Sequence, residues 1–230
     1  MSDLSGVDWP PVPIRTDRLV LRASEGQDRP TFLDLLSSAD VYAFLGGARS
    51  RDELDAAMPM LPGSRPGAFV VTLGAAMIGI VTIDRREQPR PGHLTAGAEE
   101  PELGYLFLPE LWGRGYATEA CRAVLDWTET ALPGEPVVLC TQSSNAASLR
   151  VAAKLGFTER ERFEEFGAEQ WFGVRVPGRT PRPPGVAPGQ SDLVEAEGAP
   201  SRPHRQGDCT DSPTGVHGDS RGSQHRTPLR

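Results

Sequence analysis

The chain has 230 residues, of which 38% are hydrophobic, and a formal net charge of −7. Residues 1–176 contain 17 Arg and Lys against 25 Asp and Glu, and so acidic a domain is a poor general binder of nucleic acid. Neither a charged-then-apolar leader nor an apolar run of 18 residues occurs, so we expect a cytoplasmic protein without a membrane partner. The three cysteines, Cys121, Cys140 and Cys209, have no metal-ligand or disulfide spacing, so no metal is expected.

Composition divides the chain into three parts. Residues 1–15 form a lead-in that is rich in proline at 9–13. Residues 177–230 contain nine Pro and eight Gly but no Phe, Trp or Tyr. Such a segment buries too little apolar surface to offset the entropy of ordering it, so the sequence predicts a disordered tail. One folded domain remains, at 16–176.

The first half of this domain reads as strands and short helices. Alternating residues at 17–23 predict a strand. Ser24 and Gln27 resemble a capping box before a helix that continues towards Ser37. The further predictions are a short helix that starts at Ser50 and is ended by Pro59 and Pro62, a hairpin of strands 68–73 and 77–84, and a loop at 87–99.

The most informative segment is 111–120, between a predicted strand at 102–108 and a predicted helix at 116–130. Gly113 and Gly115 leave backbone amides uncovered at the positive end of the helix dipole, and such amides form a seat for an anion, most naturally a phosphate. The alternative is a glycine loop that only turns the chain. No Lys-Ser/Thr follows the glycines, which excludes a nucleotide-binding P-loop.

A second strand–turn–helix unit follows the first. It consists of a strand at 136–142 and a helix that Asn145 caps and Gly156 terminates. Closing strands are predicted at 157–166 and 171–176. Two adjacent strands that end beside two helix N-termini create a slot at the carboxyl end of the sheet, where α/β folds bind ligands.

These segments resemble the GNAT acetyltransferase superfamily, and within it the Rim-type enzymes that acetylate ribosomal-protein N-termini and their small-molecule-modifying relatives. The resemblance covers 16–176 and rests on 16–22, 102–105, 112–120 and 145–157. It implies an α/β (mixed α+β) GNAT fold, with a mixed, mostly antiparallel sheet of about seven strands and helices on both faces. The sheet is expected to splay between the family's fourth and fifth strands, here 102–108 and 136–142.

The resemblance also implies acetyl-CoA as the co-substrate. Trp112 stands where the superfamily usually has Gln or Arg. The main chain of Phe107 and Leu108 would pair with the pantetheine arm like an added strand. Asn145 would reach that arm, or only cap its helix. The CoA pyrophosphate would lie on the turn formed by Gly113, Arg114, Gly115, Tyr116, Ala117 and Thr118, where the Arg114 side chain either contacts a phosphate or stays in solvent.

Glu102 is the candidate general base, because it begins the strand that lines the acetyl group and matches an acidic residue of Rim-type sequences; the alternative is a solvent-facing glutamate. Glu119, in the first turn of its helix, suits a structural role. The oxyanion would need a backbone amide near Leu108. Family members often have a tyrosine on the helix after 136–142 as the acid. This chain has none there, and Ser148 matches the serine that Rim-type enzymes use instead, although a serine beside an Asn cap also suits capping.

The function that the resemblance implies is N-acetylation of a primary amine, with direct attack of the amine on the thioester in a ternary complex. The acceptor is a protein or peptide N-terminus or a small-molecule amine, and a homodimer is left open. The alternative is a CoA-binding sensor or scaffold of the same fold without turnover.

Overall fold

Eight strands form one sheet in the computed structural model, which describes residue 4, residues 6–87 and residues 89–178. The spatial order is β1-β2-β3-β4-β5-β6-β8-β7, and every neighbouring pair is antiparallel except β5 and β6, which are parallel. The strands are β1 Ile14–Arg15, β2 Leu19–Arg22, β3 Ala68–Leu73, β4 Ala76–Arg85, β5 Pro101–Phe107, β6 Val137–Gln142, β7 Thr158–Glu165 and β8 Ala168–Arg175.

The described residues form four α-helices. They are α1 Arg29–Ser37, α2 Arg51–Ala57, α3 Tyr116–Ala131 and α4 Ala146–Lys154, and short 3-10 turns occur at Gly26–Asp28 and Pro109–Leu111. None of the helices within the described ranges has the length and apolar character needed to cross a membrane.

Strand alternation sends side chains to two separate apolar clusters. In β5, Leu103 and Phe107 lie in the cluster that contains the buried residues of α3 and α4, whereas Leu106 packs against the cluster that contains Phe32 and Leu35 of α1. Because neighbouring residues of a strand point to opposite faces, the sheet has α3 and α4 on one face and α1 on the other. The predicted fold, with helices on both faces of a mostly antiparallel sheet, is confirmed.

The N-terminal segment differs from its prediction as a lead-in. Ile14 and Arg15 form the edge strand β1, paired with Leu21 and Val20. Trp9 packs edge-on against Phe69, with ring centroids 5.1 Å apart. Aromatic burial therefore ties part of this segment to the sheet. The predicted tail lies, beyond residue 178, outside the described residues.

The predicted cap of the first helix is also corrected. The capping box belongs to the 3-10 turn that leads into α1: the Asp28 carboxylate, rather than Gln27, accepts a hydrogen bond at 2.7 Å from the N–H of Glu25, the N-cap of that turn. Asp28 is buried and bound by the Arg22 guanidinium. A charged pair that satisfies a buried carboxylate therefore fixes this helix start, and a local sequence pattern does not show such a pair.

Candidate active site

The sheet opens between β5 and β6. These strands share one paired position, Glu102 with Val138, although β5 is paired to β4 and β6 to β8 along their lengths. The two strands therefore separate towards their carboxyl ends, where α3 and α4 begin. The predicted slot lies at this separation, which we call the split.

The glycine turn lies at the open end of the split. Gly113 and Gly115 have φ of 76° and 83°, in the left-handed region, and both are exposed together with Arg114. α3 begins at Tyr116, and its N-cap Gly115 supplies no side-chain cap. Within the described ranges, no protein acceptor binds the N–H groups of residues 113–118. This run of donors at a helix N-terminus can bind a phosphate group.

Thr16, Arg18 and Glu119 form a contact, which we call the Glu119 brace, that supports the glycine turn. The Glu119 carboxylate accepts from the Thr16 hydroxyl at 2.6 Å and from Arg18 Nε at 2.7 Å, and Arg18 also donates to the Arg114 carbonyl at 3.1 Å. Burial raises the pKa of Glu119, but the hydrogen bonds from Thr16 and Arg18 outweigh it and hold that pKa below its ordinary value. These contacts give Glu119 the structural position that the sequence favoured.

Trp112 joins the turn to the end of β5. Its indole N–H donates to the Phe107 carbonyl at 2.8 Å, while half of its surface stays exposed. The Leu108 N–H donates to the Ile78 carbonyl at 3.0 Å and is thus occupied by β4. The backbone amide expected near Leu108 for the oxyanion stays a prediction, and the N–H of Leu108 itself is not available for it. Because N–H groups of an antiparallel strand alternate in direction, the Phe107 N–H points to the open edge instead.

The N-terminus of α4 lies across the split from β5. Asn145 caps it, with its side-chain oxygen accepting from the Ser148 N–H at 3.1 Å. The Ser148 oxygen in turn accepts from the Tyr105 phenol of β5 at 3.0 Å. The pKa of Tyr105 is raised, and burial is the main cause. The hydrogen bond with Ser148 has a smaller effect in the opposite direction. The sequence gives no sign that Tyr105 meets Ser148, because the two residues lie 43 positions apart.

Glu102 lies at the closed end of the split and is buried, with 4% of its surface exposed. The alternative interpretation, that Glu102 is a solvent-facing side chain, is therefore wrong. The fully buried Arg86 guanidinium contacts its carboxylate at 2.9 Å and lies over the Phe172 ring at 5.3 Å. The sequence did not point to Arg86, since an arginine at the end of a strand is ordinarily solvated.

A second buried carboxylate lies beside the first in sequence. Glu100 accepts from the Leu94 N–H at 2.6 Å and contacts His93 Nδ1 at 2.7 Å. Burial raises the pKa of Glu100, but hydrogen bonds from His93 and from backbone N–H groups more than compensate and lower it. The closed end of the split therefore contains two buried carboxylates next to buried apolar residues such as Val138 and Leu103.

The candidate residues thus form two groups. The glycine turn, Trp112, Asn145 and Ser148 gather at the open end, while Glu102 lies at the closed end. Along β5, strand alternation puts Glu102 and Tyr105 on opposite faces. Arg114 is exposed, and among the described residues its side chain has no hydrogen-bond or ion-pair partner. An anionic ligand can lie on the turn while a reacting group extends along the split between the two faces.

Comparison of the chain with known proteins agrees with this geometry. The chain matches the family described as Acetyltransferase (GNAT) domain over residues 18–158. It is 25% identical, over 166 residues, to YnaD of Bacillus subtilis (strain 168), which is named an uncharacterized N-acetyltransferase; the match covers 69% of this chain and 91% of YnaD.

Two solved structures share the fold at low identity. The spermidine N-acetyltransferase from Vibrio cholerae, in complex with CoA and spermine, is 20% identical with a TM-score of 0.55, covering 70% of this chain and 96% of that one. RimL, a ribosomal L7/L12 alpha-N-protein acetyltransferase, is 15% identical with a TM-score of 0.55, covering 74% and 99%. A domain match over more than half of the chain, together with the split sheet and its glycine turn, shows that the protein belongs to the GNAT acetyltransferase family and is an acyltransferase.

Proposed function

We propose that the protein transfers the acetyl group of acetyl-CoA to a primary amine, by direct attack of the amine on the thioester while both substrates are bound. The observation that carries the proposal is the exposed glycine turn at the open end of the split, with N–H groups of 113–118 that no protein acceptor within the described ranges binds. The structural neighbour from Vibrio cholerae, which holds CoA, supports the same donor.

The donor would extend from the turn into the split. The N–H groups of residues 113–118 bind the pyrophosphate, and Arg114 adds a charge from solvent. The pantetheine arm pairs with the main chain of Phe107 and Leu108 at the end of β5. Asn145 uses its oxygen in the α4 cap, so its amide NH₂ is the group that reaches the arm.

The acceptor must be neutral to attack. An α-amino group has an ordinary pKa of about 8 and a lysine amine of about 10, so a base raises the reactive fraction at neutral pH. In this proposal Glu102 takes the proton through a chain of water molecules along the split. The Arg86 ion pair stabilises a carboxylate that would otherwise be a costly isolated charge in the buried site.

Negative charge develops on the thioester oxygen and on the departing sulfur, and each of these atoms needs a hydrogen-bond donor. As the N–C bond forms, the thioester oxygen gains negative charge, which the Phe107 N–H stabilises. As the C–S bond breaks, its electron pair stays on sulfur, and the Ser148 hydroxyl donates to that thiolate. A thiol pKa of about 8.5 makes this leaving group stable enough that a hydrogen bond suffices.

The acceptor class is a primary amine with a net positive charge, which the acidic domain would attract. The two structural neighbours act on a polyamine and on a protein N-terminus by their names. Glu102 and Ser148, which match residues of Rim-type sequences, favour the N-terminal acceptor. Cytoplasmic localisation belongs to the same proposal, and a homodimer is left open.

The test mixes the full-length protein with acetyl-CoA and a panel of amines, and it measures the release of free thiol. The panel contains spermidine, lysine, an aminoglycoside and a peptide with a free N-terminus. The same peptide with a blocked N-terminus is the matched control. We expect thiol release above the amine-free rate with the free peptide and not with the blocked one.

The non-catalytic alternative predicts a different result. A sensor or scaffold binds CoA, which calorimetry measures, yet releases no thiol with any amine. The absence of the helix tyrosine that many family members use is the observation that favours it. Binding without turnover across the panel would therefore replace the catalytic proposal with this one.

A further inference from the structure

The hydrogen bond between Tyr105 and Ser148 crosses the split. Tyr105 lies on β5, three residues after the last paired position of β5 with β6, and Ser148 lies in the first turn of α4, which follows β6. Their oxygens are 3.0 Å apart. The bond thus joins the two walls of the split at the place where the proposed leaving group departs.

The direction of this bond determines where the serine proton goes. A phenol is a stronger acid than an aliphatic alcohol, so Tyr105 is the donor and the Ser148 oxygen is the acceptor. The Ser148 N–H is already bound to Asn145. Within the described ranges no protein acceptor takes the Ser148 hydroxyl proton, so this proton remains available to a ligand.

We propose that Tyr105 is a positioning residue, whose phenol holds the Ser148 hydroxyl with its proton directed into the split, towards the sulfur of CoA. The inference rests on the proposed function, because that function places the thioester in the split. The N-terminus of α4, a helix of nine residues, adds a positive dipole end on the same side.

The phenol itself does not give up its proton. Burial raises the pKa of Tyr105 above its ordinary value of about 10. The CoA thiol has an ordinary pKa near 8.5, so full transfer from the phenol to the thiolate is unfavourable. Tyr105 therefore stays neutral and remains a donor below its ordinary pKa of about 10, the range in which an α-amino group loses its proton. In the reaction the amine proton goes to Glu102 through water, the electron pair of the C–S bond stays on sulfur, and Ser148 keeps its proton while donating to that sulfur.

The test compares the binding of CoA and desulfo-CoA by calorimetry, because only CoA has the sulfur. Measurements run from about pH 7 to about pH 9.5, across the ordinary thiol pKa of about 8.5. In the wild type we expect the preference for CoA to grow by about tenfold as the thiolate forms, the effect of one hydrogen bond to a charged group. Tyr105→Phe and Ser148→Ala should each remove that growth, and the double variant should do no more, because the two side chains act as one unit.

A matched control is Tyr42→Phe, which removes a buried phenol from the opposite face of the sheet and should leave the preference for CoA unchanged. If amines are acetylated, Tyr105→Phe should also lower kcat while the KM for acetyl-CoA stays constant. Melting temperatures of all variants identify any loss of folded protein.

Results other than these would refute either the positioning role of Tyr105, the catalytic proposal, or both. A Tyr105→Phe variant with the wild-type pH dependence of the preference refutes the positioning role. If Tyr105→Phe bound both CoA and desulfo-CoA more tightly than the wild type does, and by the same factor, the phenol would only fill the split. Should no amine be acetylated while the preference behaves as expected, the catalytic proposal fails and the positioning role stands. Failure of the wild type to bind CoA overturns both.

Discussion

Gly113 and Gly115 both have backbone angles that residues with a Cβ atom adopt at a cost of about 1–2 kcal/mol. A Cβ atom at Gly113 would meet no protein atom within 4 Å, so packing alone does not require glycine there. Either the turn needs its left-handed angle, or a ligand needs the space. The two reasons can be separated, because Gly134 has a similar φ of 80° and equally open surroundings far along the chain.

We therefore predict different effects of the same change at these two glycines. Gly113→Ala and Gly134→Ala should each lower the free energy of unfolding by about 1–2 kcal/mol, since both strain a left-handed residue. Only Gly113→Ala should weaken CoA binding, by about tenfold, as amide contacts to the pyrophosphate are lost. Denaturant unfolding and calorimetry measure the two quantities. Equal CoA affinity in both variants would contradict the anion seat.

Glu102→Gln is predicted to lower kcat by about 10²–10⁴, because a positioned general base is lost, with little change in the affinity for acetyl-CoA. It also leaves the Arg86 charge without its carboxylate, which costs on the order of 3–5 kcal/mol of stability for a broken buried pair. The rate must therefore be measured well below the melting temperature and scaled by the fraction of protein that binds CoA.

Glu100→Gln is the matched control for this variant. Glu100 is as buried as Glu102 and also accepts charge-compensating hydrogen bonds, so its substitution should destabilise the fold too. It should not reduce the scaled kcat to a similar degree. Full activity of Glu102→Gln at neutral pH would refute the base assignment.

At the scale of the elements, the Glu119 brace links the segment before β2 to the start of α3. The Glu119 pKa is lowered in the folded protein, so the brace stabilises the fold above the ordinary Glu pKa of about 4.3 and loses this effect as the pH falls through the folded value. Glu119→Gln should thus lower the melting temperature at neutral pH, with a gap to the wild type that closes below about pH 4. A gap of constant size across that range would show that the charge is not what stabilises the brace.

The elements themselves were largely predictable, because their signals are local. The helix predicted at 116–130 is Tyr116–Ala131, and Asn145 caps α4 as expected. Glycine positions, caps and alternation depend on residues within a few places of one another. The fold class was implied by the resemblance of these elements, the glycine turn among them, to the GNAT superfamily.

The contacts inside the site were not predictable in the same way. The Arg86–Glu102 pair spans 16 residues, the Tyr105–Ser148 bond 43 and the Thr16–Glu119 contact 103. A single sequence shows that these residues are polar but not which ones meet, since the sheet topology decides that. For the same reason, the hydrogen bonds between β4 and β5 became visible only with the register of these strands. They occupy the Leu108 N–H, so the Phe107 N–H points to the open edge.

For the whole molecule, the sheet combines a closed end and an open end in one layer. Glu102 and Val138 hold β5 and β6 together at the closed end, where the Arg86–Glu102 ion pair and the hydrogen bond between His93 and Glu100 are buried. β8 then supports β6 along its full length, with the buried Trp171 and Phe172, so the split keeps one rigid wall. A rigid split can align donor and acceptor without a large closing motion.

Truncation tests how much of the chain this arrangement needs. All of the contacts described above lie within residues 4–178, and the family match ends at residue 158. Removal of residues 180–230 should therefore leave kcat/KM and the melting temperature unchanged, as measured by thiol release and thermal unfolding. Removal of residues 160–230 is the matched control, and it should abolish folding because β6 loses β8 and the core loses Phe172. A large loss of kcat/KM in the shorter truncation, with the melting temperature kept, would show that residues beyond 179 take part in acceptor binding.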